Sequence, residues 1–357
     1  MTTQNVKKKK AIVLSGGGAK GAYEAGVLKY IIEHWGLQFN IAVGTSAGAL
    51  NSFMYSSLDT CNSNKTNAEK MAEPWKNISI NKILKLPFDD YLKLKFNSVF
   101  DNRQLFSFVE KFFDKEIKKN NIEKESELET LCVITGEMAS GQTHVWYESR
   151  NKNLNIISQR WLSHRVELDT NHAIASGAIP TVFRAVELED ETGDKKWHND
   201  GGITMNTPIS PAIQAGAEKI MIIYLGNPIK AAADQMPTAY EVLKDTVLTL
   251  MFYNHLKEDI IRANTVNMLL EKLGKDEFSG YRKVYLQVVA PSKNLDEKAV
   301  NILKESNFLM KLIPGFVIEL LSITTLLMTP VYTTAMINLG YNDARRMHDQ
   351  LESFFSD

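Results

Sequence analysis

Two glycine-rich turns near the start of the chain limit the folds that it can adopt. Residues 15–21 (SGGGAKG) follow the apolar run 11–14, and residues 44–48 (GTSAG) follow the apolar run 41–43. A helical pattern comes directly after each turn, so each unit predicts a strand, a tight turn and the start of a helix. Two such units predict an α/β fold with a parallel sheet, in which functional sites lie at the carboxyl edge of the strands.

The second turn has the spacing of a nucleophile elbow. Gly44 and Gly48 flank Ser46 in the pattern G-x-S-x-G. Glycine at both positions lets the backbone turn sharply without Cβ clashes, so that the serine hydroxyl projects from the edge of the sheet. Ser46 is therefore the candidate nucleophile.

The first turn fits two kinds of site. Gly16, Gly18 and Gly21 have the G-x-G-x-x-G spacing of a dinucleotide fingerprint, which also requires an acidic residue near the end of the second strand. Residues 38–44 contain no carboxylate, and Ala22 stands where a P-loop would have its lysine. The alternative is an oxyanion loop, whose amide groups and helix N-terminus attract a developing negative charge. A nucleotide-dependent oxidoreductase stays open as the competing interpretation.

The turns suggest further groups for the site. Lys20 adds a positive charge beside the first turn, either as a solvated lysine or as a support for the loop. None of the histidines lies in a motif typical of a catalytic triad, and His172 and His198 are the best placed of them. Asp200 is the stronger candidate for a base, because Gly201 and Gly202 follow it directly after a predicted strand and permit a close backbone approach.

Apolar periodicity predicts the remaining elements. Further strands are expected at 39–43, 131–135, 144–147, 183–188, 196–199, 219–225 and 285–289. Helices are expected from about 21 to 36, after residue 46, within 71–119, at 172–180, at 237–273 and from 296 onward, with an exposed loop at 61–68.

This pattern divides the chain into three segments. Residues 1–10 are expected to form a basic, disordered terminus, 11–290 an α/β domain, and 291–357 a helical extension packed on the same domain. Within the domain, the segment 71–119 is helical, aromatic and cap-like. Its lysine-rich part, 82–113, and the amphipathic pattern at 308–327 are candidates for contact with a membrane surface.

Composition excludes several classes of protein. Lys and Arg total 41 against 42 Asp and Glu, which argues against binding of nucleic acid by global charge. Cys61 and Cys132 offer neither a disulfide framework nor metal-ligand spacing, so no metal site is expected. No apolar region of signal-peptide length follows the first lysines, which favours a cytoplasmic location. Pro330 interrupts the apolar stretch 320–337, which favours packed or interfacial helices over a membrane span.

Taken together and in this order, the motifs resemble those of the patatin-like phospholipase family. They are the glycine turn with Lys20, the G-x-S-x-G turn, the small-residue helix with Ser176 and Pro180, and Asp200-Gly201-Gly202. The resemblance covers about residues 10–225 and implies a three-layer α/β/α fold with a mainly parallel central sheet, to which the C-terminal helices are an addition.

The resemblance also implies a mechanism and site residues. It implies a serine–aspartate dyad, with Ser46 as nucleophile and Asp200 as general base. The amides of Gly16, Gly17 and Gly18, above all the last two, would form the oxyanion hole. The motif residues in support are Lys20, Gly21, Gly44, Gly48, Gly201 and Gly202.

The implied activity is that of a lipid acyl hydrolase without cofactor or metal. Its substrate would be a phospholipid or another acyl-ester lipid, reached through peripheral contact with a membrane. A non-catalytic lipid-binding protein with a silent site is the second alternative.

Overall fold

A computed structural model describes residues 8–78, 98, 103–123, 126–180, 182–226, 255–278, 280–295 and 328–356. Several predictions therefore lie outside the described residues. They concern residues 1–7 of the basic terminus, 79–97 of the aromatic segment, 237–254 of a predicted helix, and the amphipathic pattern at 308–327.

The strands, numbered in chain order, are β1 (Lys10–Leu14), β2 (Ile41–Thr45), β3 (Thr130–Glu137), β4 (Thr143–Ser149), β5 (Leu162–Arg165), β6 (Val186–Glu189), β7 (Lys195–Asp200), β8 (Lys219–Ile223), β9 (Glu277–Phe278), β10 (Tyr281–Arg282) and β11 (Tyr285–Val289). The helices are α1 (Gly21–Trp35), α2 (Ala47–Ser56), α3 (Asn64–Asn77), α4 (Arg103–Phe112), α5 (Lys115–Glu123), α6 (Thr170–Ser176), α7 (Gly202–Met205), α8 (Ile209–Gln214), α9 (His255–Lys272), α10 (Pro330–Arg346) and α11 (His348–Phe355).

Nine of these strands form one mainly parallel sheet. Its order is β11-β8-β1-β2-β3-β4-β5, and the hairpin β6–β7 joins it through β3. The five strands from β11 to β3 are mutually parallel, whereas β3 pairs in the antiparallel sense with both β4 and β7. Strands β9 and β10 form a separate hairpin.

Side chains of the central strands are buried on both faces of the sheet. In β1, Ile12 and Leu14 belong to a core formed with α1, α2, α3 and α10. Ala11 and Val13 belong to a second core, formed with α8 and α9. Successive side chains of a strand point to opposite faces, so helices cover the sheet on both sides. The predicted three-layer α/β/α fold is confirmed.

The structure differs from the predicted elements in several places. The segment 61–68, predicted as an exposed loop, contains the start of α3 at Asn64. The Ser63 side chain accepts a hydrogen bond from the Thr66 amide and caps this helix, and Ala68 is fully buried. The polar first turn of α3 concealed its helical pattern, so the loop prediction was wrong. Strands β5, β9 and β10 and helices α7 and α8 were not predicted at all.

Helix α10 packs unusually closely against α1. A Cβ on Gly26 would lie 2.1 Å from the carbonyl oxygen of Ile337, and a Cβ on Gly340 would lie 2.1 Å from that of Tyr23. Glycine therefore allows the two backbones to touch at both points. Pro330 opens α10 and Thr329 caps it, so a helix begins inside the apolar stretch 320–337. Within the described ranges, every helix is too short or too polar to cross a bilayer.

We expect Gly26→Ala and Gly340→Ala each to lower the free energy of unfolding by about 1–3 kcal/mol, because the added methyl group meets backbone and forces the helices apart. Urea denaturation would measure the change. Gly177→Ala is the control, since Gly177 has φ −93° and its neighbours lie 3.7 Å from a Cβ. Equal stability of the three variants would contradict this packing.

Candidate active site

Strand β4 pairs with one edge of β3. Strands β2 and β7 both pair with the other edge, one after the other along β3. Strand β2 is parallel to β3 and ends with Thr45 opposite Ile134. Strand β7 is antiparallel to β3 and ends with Asp200 opposite Thr135. The register therefore brings together Asp200 and the residue that follows Thr45, which is Ser46.

The backbone at Ser46 has the conformation expected of a nucleophile elbow. Ser46 has φ 55° and ψ −123°, and among the described residues it is the one non-glycine residue with a positive φ. A Cβ on Gly44 would lie 2.2 Å from the Gly48 carbonyl oxygen, and a Cβ on Gly48 would lie 2.3 Å from that of Leu14. Both flanking glycines are thus required by contacts with backbone.

Ser46 and Asp200 form a direct hydrogen bond. The Ser46 hydroxyl donates to Oδ2 of Asp200 at 2.6 Å, and the Gly202 amide donates to Oδ1 at 2.7 Å. Both side chains are buried. Burial raises the pKa of Asp200 to about 6, although the hydrogen bonds from Ser46 and Gly202 oppose this shift. A Cβ on Gly201 would lie 2.5 Å from the Ile134 carbonyl oxygen, so this glycine lets the turn approach β3.

Ser176, at the end of α6, supports the elbow. Its hydroxyl accepts a hydrogen bond from the Ser46 amide at 2.8 Å and donates one to the Ile134 carbonyl at 2.6 Å. Two residues further on, the Ala178 carbonyl accepts a bond from the Asp200 amide at 2.9 Å. The end of α6 therefore holds the backbone of both dyad residues. The run of small residues ending at Pro180 was the sequence signal, but it did not reveal these bonds.

Two amides of the glycine loop, those of Gly17 and Gly18, have no acceptor among the described residues. The Gly16 amide donates to the Asn206 carbonyl at 3.1 Å, and the Asn206 side-chain amide donates back to the Gly16 carbonyl at 3.2 Å. Within the part of the chain that the structure describes, the amides of Gly17 and Gly18 donate no hydrogen bond. A short 3-10 turn, Gly18–Lys20, then leads into the N-terminus of α1. These two amides can therefore bind an anion.

The start of α1 is packed against the helix that follows Ser46. Lys20 is 4% exposed, so it is not a solvated lysine. A Cβ on Gly21 would lie 2.7 Å from the Cβ of Ala47 and 2.9 Å from the Trp75 ring. The two glycine turns are thus held side by side.

The two histidines considered from the sequence have other partners. His172 bonds to Asp169 at 2.8 Å in the N-terminal cap of α6, and His198 bonds to the Thr135 hydroxyl at 3.0 Å. Burial, with smaller contributions from neighbouring histidines, lowers the pKa of His198 to about 3. Neither histidine forms a hydrogen bond with Ser46 or Asp200. Among the described residues, no group of three or more potential ligands is placed to hold a metal ion.

Comparison with known proteins gives one family. The model of the patatin-like phospholipase family matches residues 12–213. The crystal structure of VipD from Legionella pneumophila is similar, with 13% sequence identity and a TM-score of 0.37, and the match covers 96% of this chain and 67% of that one. No curated protein matches the sequence.

The matched residues include both glycine turns, Ser46, Ser176 and Asp200, and they make up more than half of the 357 residues. The chain therefore belongs to the patatin-like phospholipase family, as the sequence motifs predicted.

Proposed function

We propose that the protein is a lipid acyl hydrolase of the phospholipase A or lysophospholipase type. It cleaves fatty-acyl esters through an acyl-enzyme on Ser46, with Asp200 as the general base. The observation that carries this proposal is the 2.6 Å hydrogen bond from the Ser46 hydroxyl to the Asp200 carboxylate. A serine hydroxyl is a weak nucleophile by itself, and an adjacent base activates it.

The proposed reaction has two halves. In the first, Ser46 Oγ attacks the ester carbonyl while its proton passes to Oδ2 of Asp200, and the oxyanion accepts hydrogen bonds from the Gly17 and Gly18 amides. The alcohol or lysophospholipid leaves with the proton from Asp200. In the second half, Asp200 takes a proton from water, which attacks the acyl-enzyme. Release of the fatty acid returns the proton to Ser46.

The environment of Asp200 suits a base that acts without histidine. A pKa of about 6 makes this carboxylate a better proton acceptor than an exposed aspartate, while it stays ionised at neutral pH. The Gly202 amide holds Oδ1, which leaves Oδ2 directed at Ser46. A hydrogen bond from backbone thus supplies the orientation that a third side chain gives in a triad.

An apolar cavity beside the elbow helix supports a lipid substrate. Leu50, Phe53 and Met54 line it at positions four, seven and eight after Ser46, on one face of α2. The other lining residues are Pro74, Trp75, Ile78, Leu105, Phe108, Val109, Phe112, Phe113 and Met328. We propose that this cavity receives the fatty-acyl chain of the ester.

The two alternatives have less support. A dinucleotide site would need an acidic side chain at the end of β2, where the chain has Thr45 followed by Ser46. A silent lipid-binding site would not need the hydroxyl and the carboxylate to be hydrogen-bonded. Peripheral contact with a membrane is part of the proposal, because the substrate is held in lipid aggregates.

We expect Ser46→Ala and Asp200→Asn to lower kcat by roughly 10⁴- to 10⁶-fold, because each removes a group that acts in every turnover. Hydrolysis of a nitrophenyl ester would measure the rate, and mass spectrometry of a lipid panel would identify the substrate. Ser56→Ala is the control, since this hydroxyl bonds only to the Phe53 carbonyl at the far end of α2. Wild-type rates for either dyad variant would refute the assignment.

The pH profile follows from the state of Asp200. Only the carboxylate accepts a proton, so kcat/KM for an uncharged ester should rise with pH through about 6 and then level off. Initial rates measured from about pH 3 to 8.5 would trace the curve on both sides of that value. A midpoint near the ordinary aspartate pKa would show that burial does not raise the pKa of the base, and a rate independent of pH over this range would show that Asp200 is not the base.

Filling the cavity should change the preference for chain length. Leu50→Trp should lower kcat/KM for a hexadecanoyl ester by about 10-fold or more and leave a butanoyl ester unaffected, because only the long chain needs the filled space. The matched control is Leu269→Trp, which alters an exposed leucine. Equal loss on both esters would show that the cavity does not hold the acyl chain.

A further inference from the structure

A buried carboxylate lies between the two glycine turns. Glu24, in the first turns of α1, is fully buried. Its Oε1 accepts a hydrogen bond from the Ser15 amide at 2.8 Å, and its Oε2 accepts one from the Asn51 side-chain amide at 2.8 Å. Burial of a charged group is costly unless it is hydrogen-bonded, and each oxygen of Glu24 has such a bond.

The amide of Asn51 is fixed in one orientation. Its Nδ2 also donates to the Gly21 carbonyl at 2.9 Å, while its Oδ1 accepts a bond from the Trp75 indole at 2.8 Å. Rotation of this amide would put its NH₂ group against the indole N–H. Asn51 therefore always presents a donor to Glu24.

The two partners of Glu24 belong to the two halves of the candidate site. Ser15 directly precedes the glycine loop, and Asn51 lies on α2, the helix that begins after Ser46. Ser15 is fully buried, so its amide would lose its acceptor if the carboxylate were removed. The carboxylate thus connects the oxyanion loop to the nucleophile helix through two hydrogen bonds.

Burial raises the pKa of Glu24, and the bonds from Asn51 and Ser15 act in the opposite direction. Both described partners are N–H donors, which matches the acceptor-only carboxylate. A buried negative charge does not itself favour an oxyanion nearby. The value of this group for the reaction is therefore geometric.

We propose that Glu24 is a positioning residue, which sets the distance between the oxyanion loop and Ser46 by holding the Ser15 amide and the Asn51 side chain at once. Glu24 is buried and is not proposed to touch the substrate. The inference rests on the proposed function, because it assigns the loop to the oxyanion.

The first test is Glu24→Gln. A carboxamide has one acceptor oxygen, so its NH₂ group must face either Ser15 N–H or the Asn51 amide, and both are donors. We expect kcat for a nitrophenyl ester to fall by about 10- to 100-fold, with KM unchanged, because the loop shifts relative to Ser46. The concentration of active sites is measured by titration with a fluorophosphonate. Because kcat is the rate divided by this concentration, unfolded protein does not affect it. Glu24→Asp keeps the charge but shortens the side chain, and should give a smaller loss of kcat.

The second test exchanges the carboxylate of Glu24 and the carboxamide of Asn51. Asn51→Asp alone places two carboxylates against each other and should lower kcat at least as much as Glu24→Gln. In the double variant Glu24→Gln/Asn51→Asp, the side chain at position 24 is the donor and the side chain at position 51 is the acceptor. The pair again carries a single buried charge. The double variant should recover most of the kcat that Glu24→Gln loses, although the Gly21 carbonyl then lacks its donor. Recovery by a second substitution distinguishes positioning from a general loss of folding.

Glu148→Gln is the matched control. Glu148 is a largely buried carboxylate that accepts bonds from Lys118 and from the Leu168 amide, and it lies opposite Leu131, near the start of β3 and away from the site. The Glu148→Gln substitution should lower the thermal stability of the protein without changing kcat. The proposal is overturned if Glu24→Gln and Glu24→Asp change kcat no more than this control, or if the exchanged pair recovers nothing. Activity of Ser46→Ala in the same assay would instead refute the proposed function.

Discussion

The hydrogen bond between Ser46 and Asp200 depends on how three strands end. Strand β3 is longer than β2 at its carboxyl end, so it leaves room on the same edge for the last residues of β7. The antiparallel return of β7 delivers Asp200 to this gap, opposite Thr135, while Ser46 leaves the end of β2. A shift of one residue in either register would turn the side chain to the other face of the sheet. The distance between Ser46 and Asp200 thus depends first on the register of β2 and β7 against β3.

The same contact costs stability. Ser46 has a backbone conformation that typically costs about 1–3 kcal/mol, and Asp200 carries a negative charge into a buried site. The pKa of Asp200 is raised above that of an exposed aspartate, so the folded state binds the proton more tightly than the unfolded state does. The stability of the fold therefore falls as the pH rises from the ordinary aspartate pKa to about 6, and it levels off at higher pH. The proposed base is thus fully ionised only at pH values at which this stability has already been lost.

Local patterns predicted the parts of the site that are local in sequence. The two glycine turns, the elbow at Ser46 and the Asp200 turn each occupy a few consecutive residues, and so could be recognised without the fold. The layers and most strands also followed from apolar runs. The residues that hold the two turns in place could not be predicted. Ser176, Asn206 and Glu24 do so through hydrogen bonds that form only in the folded chain. Their residue types are ordinary, and only the register of the sheet gives them partners.

The hydrogen bonds of the first turn favour an anion hole more strongly than its glycine spacing does. Gly16 is already bonded through both its amide and its carbonyl to Asn206, which directly follows α7. The loop is therefore bonded to the segment that follows Asp200, while Glu24 connects the residue before the loop to the helix that follows Ser46. The next two amides, those of Gly17 and Gly18, donate no hydrogen bond to any described residue. An anion hole needs donors that are fixed before the reaction begins, and a loop bound at both sides to the two dyad-bearing segments meets that requirement.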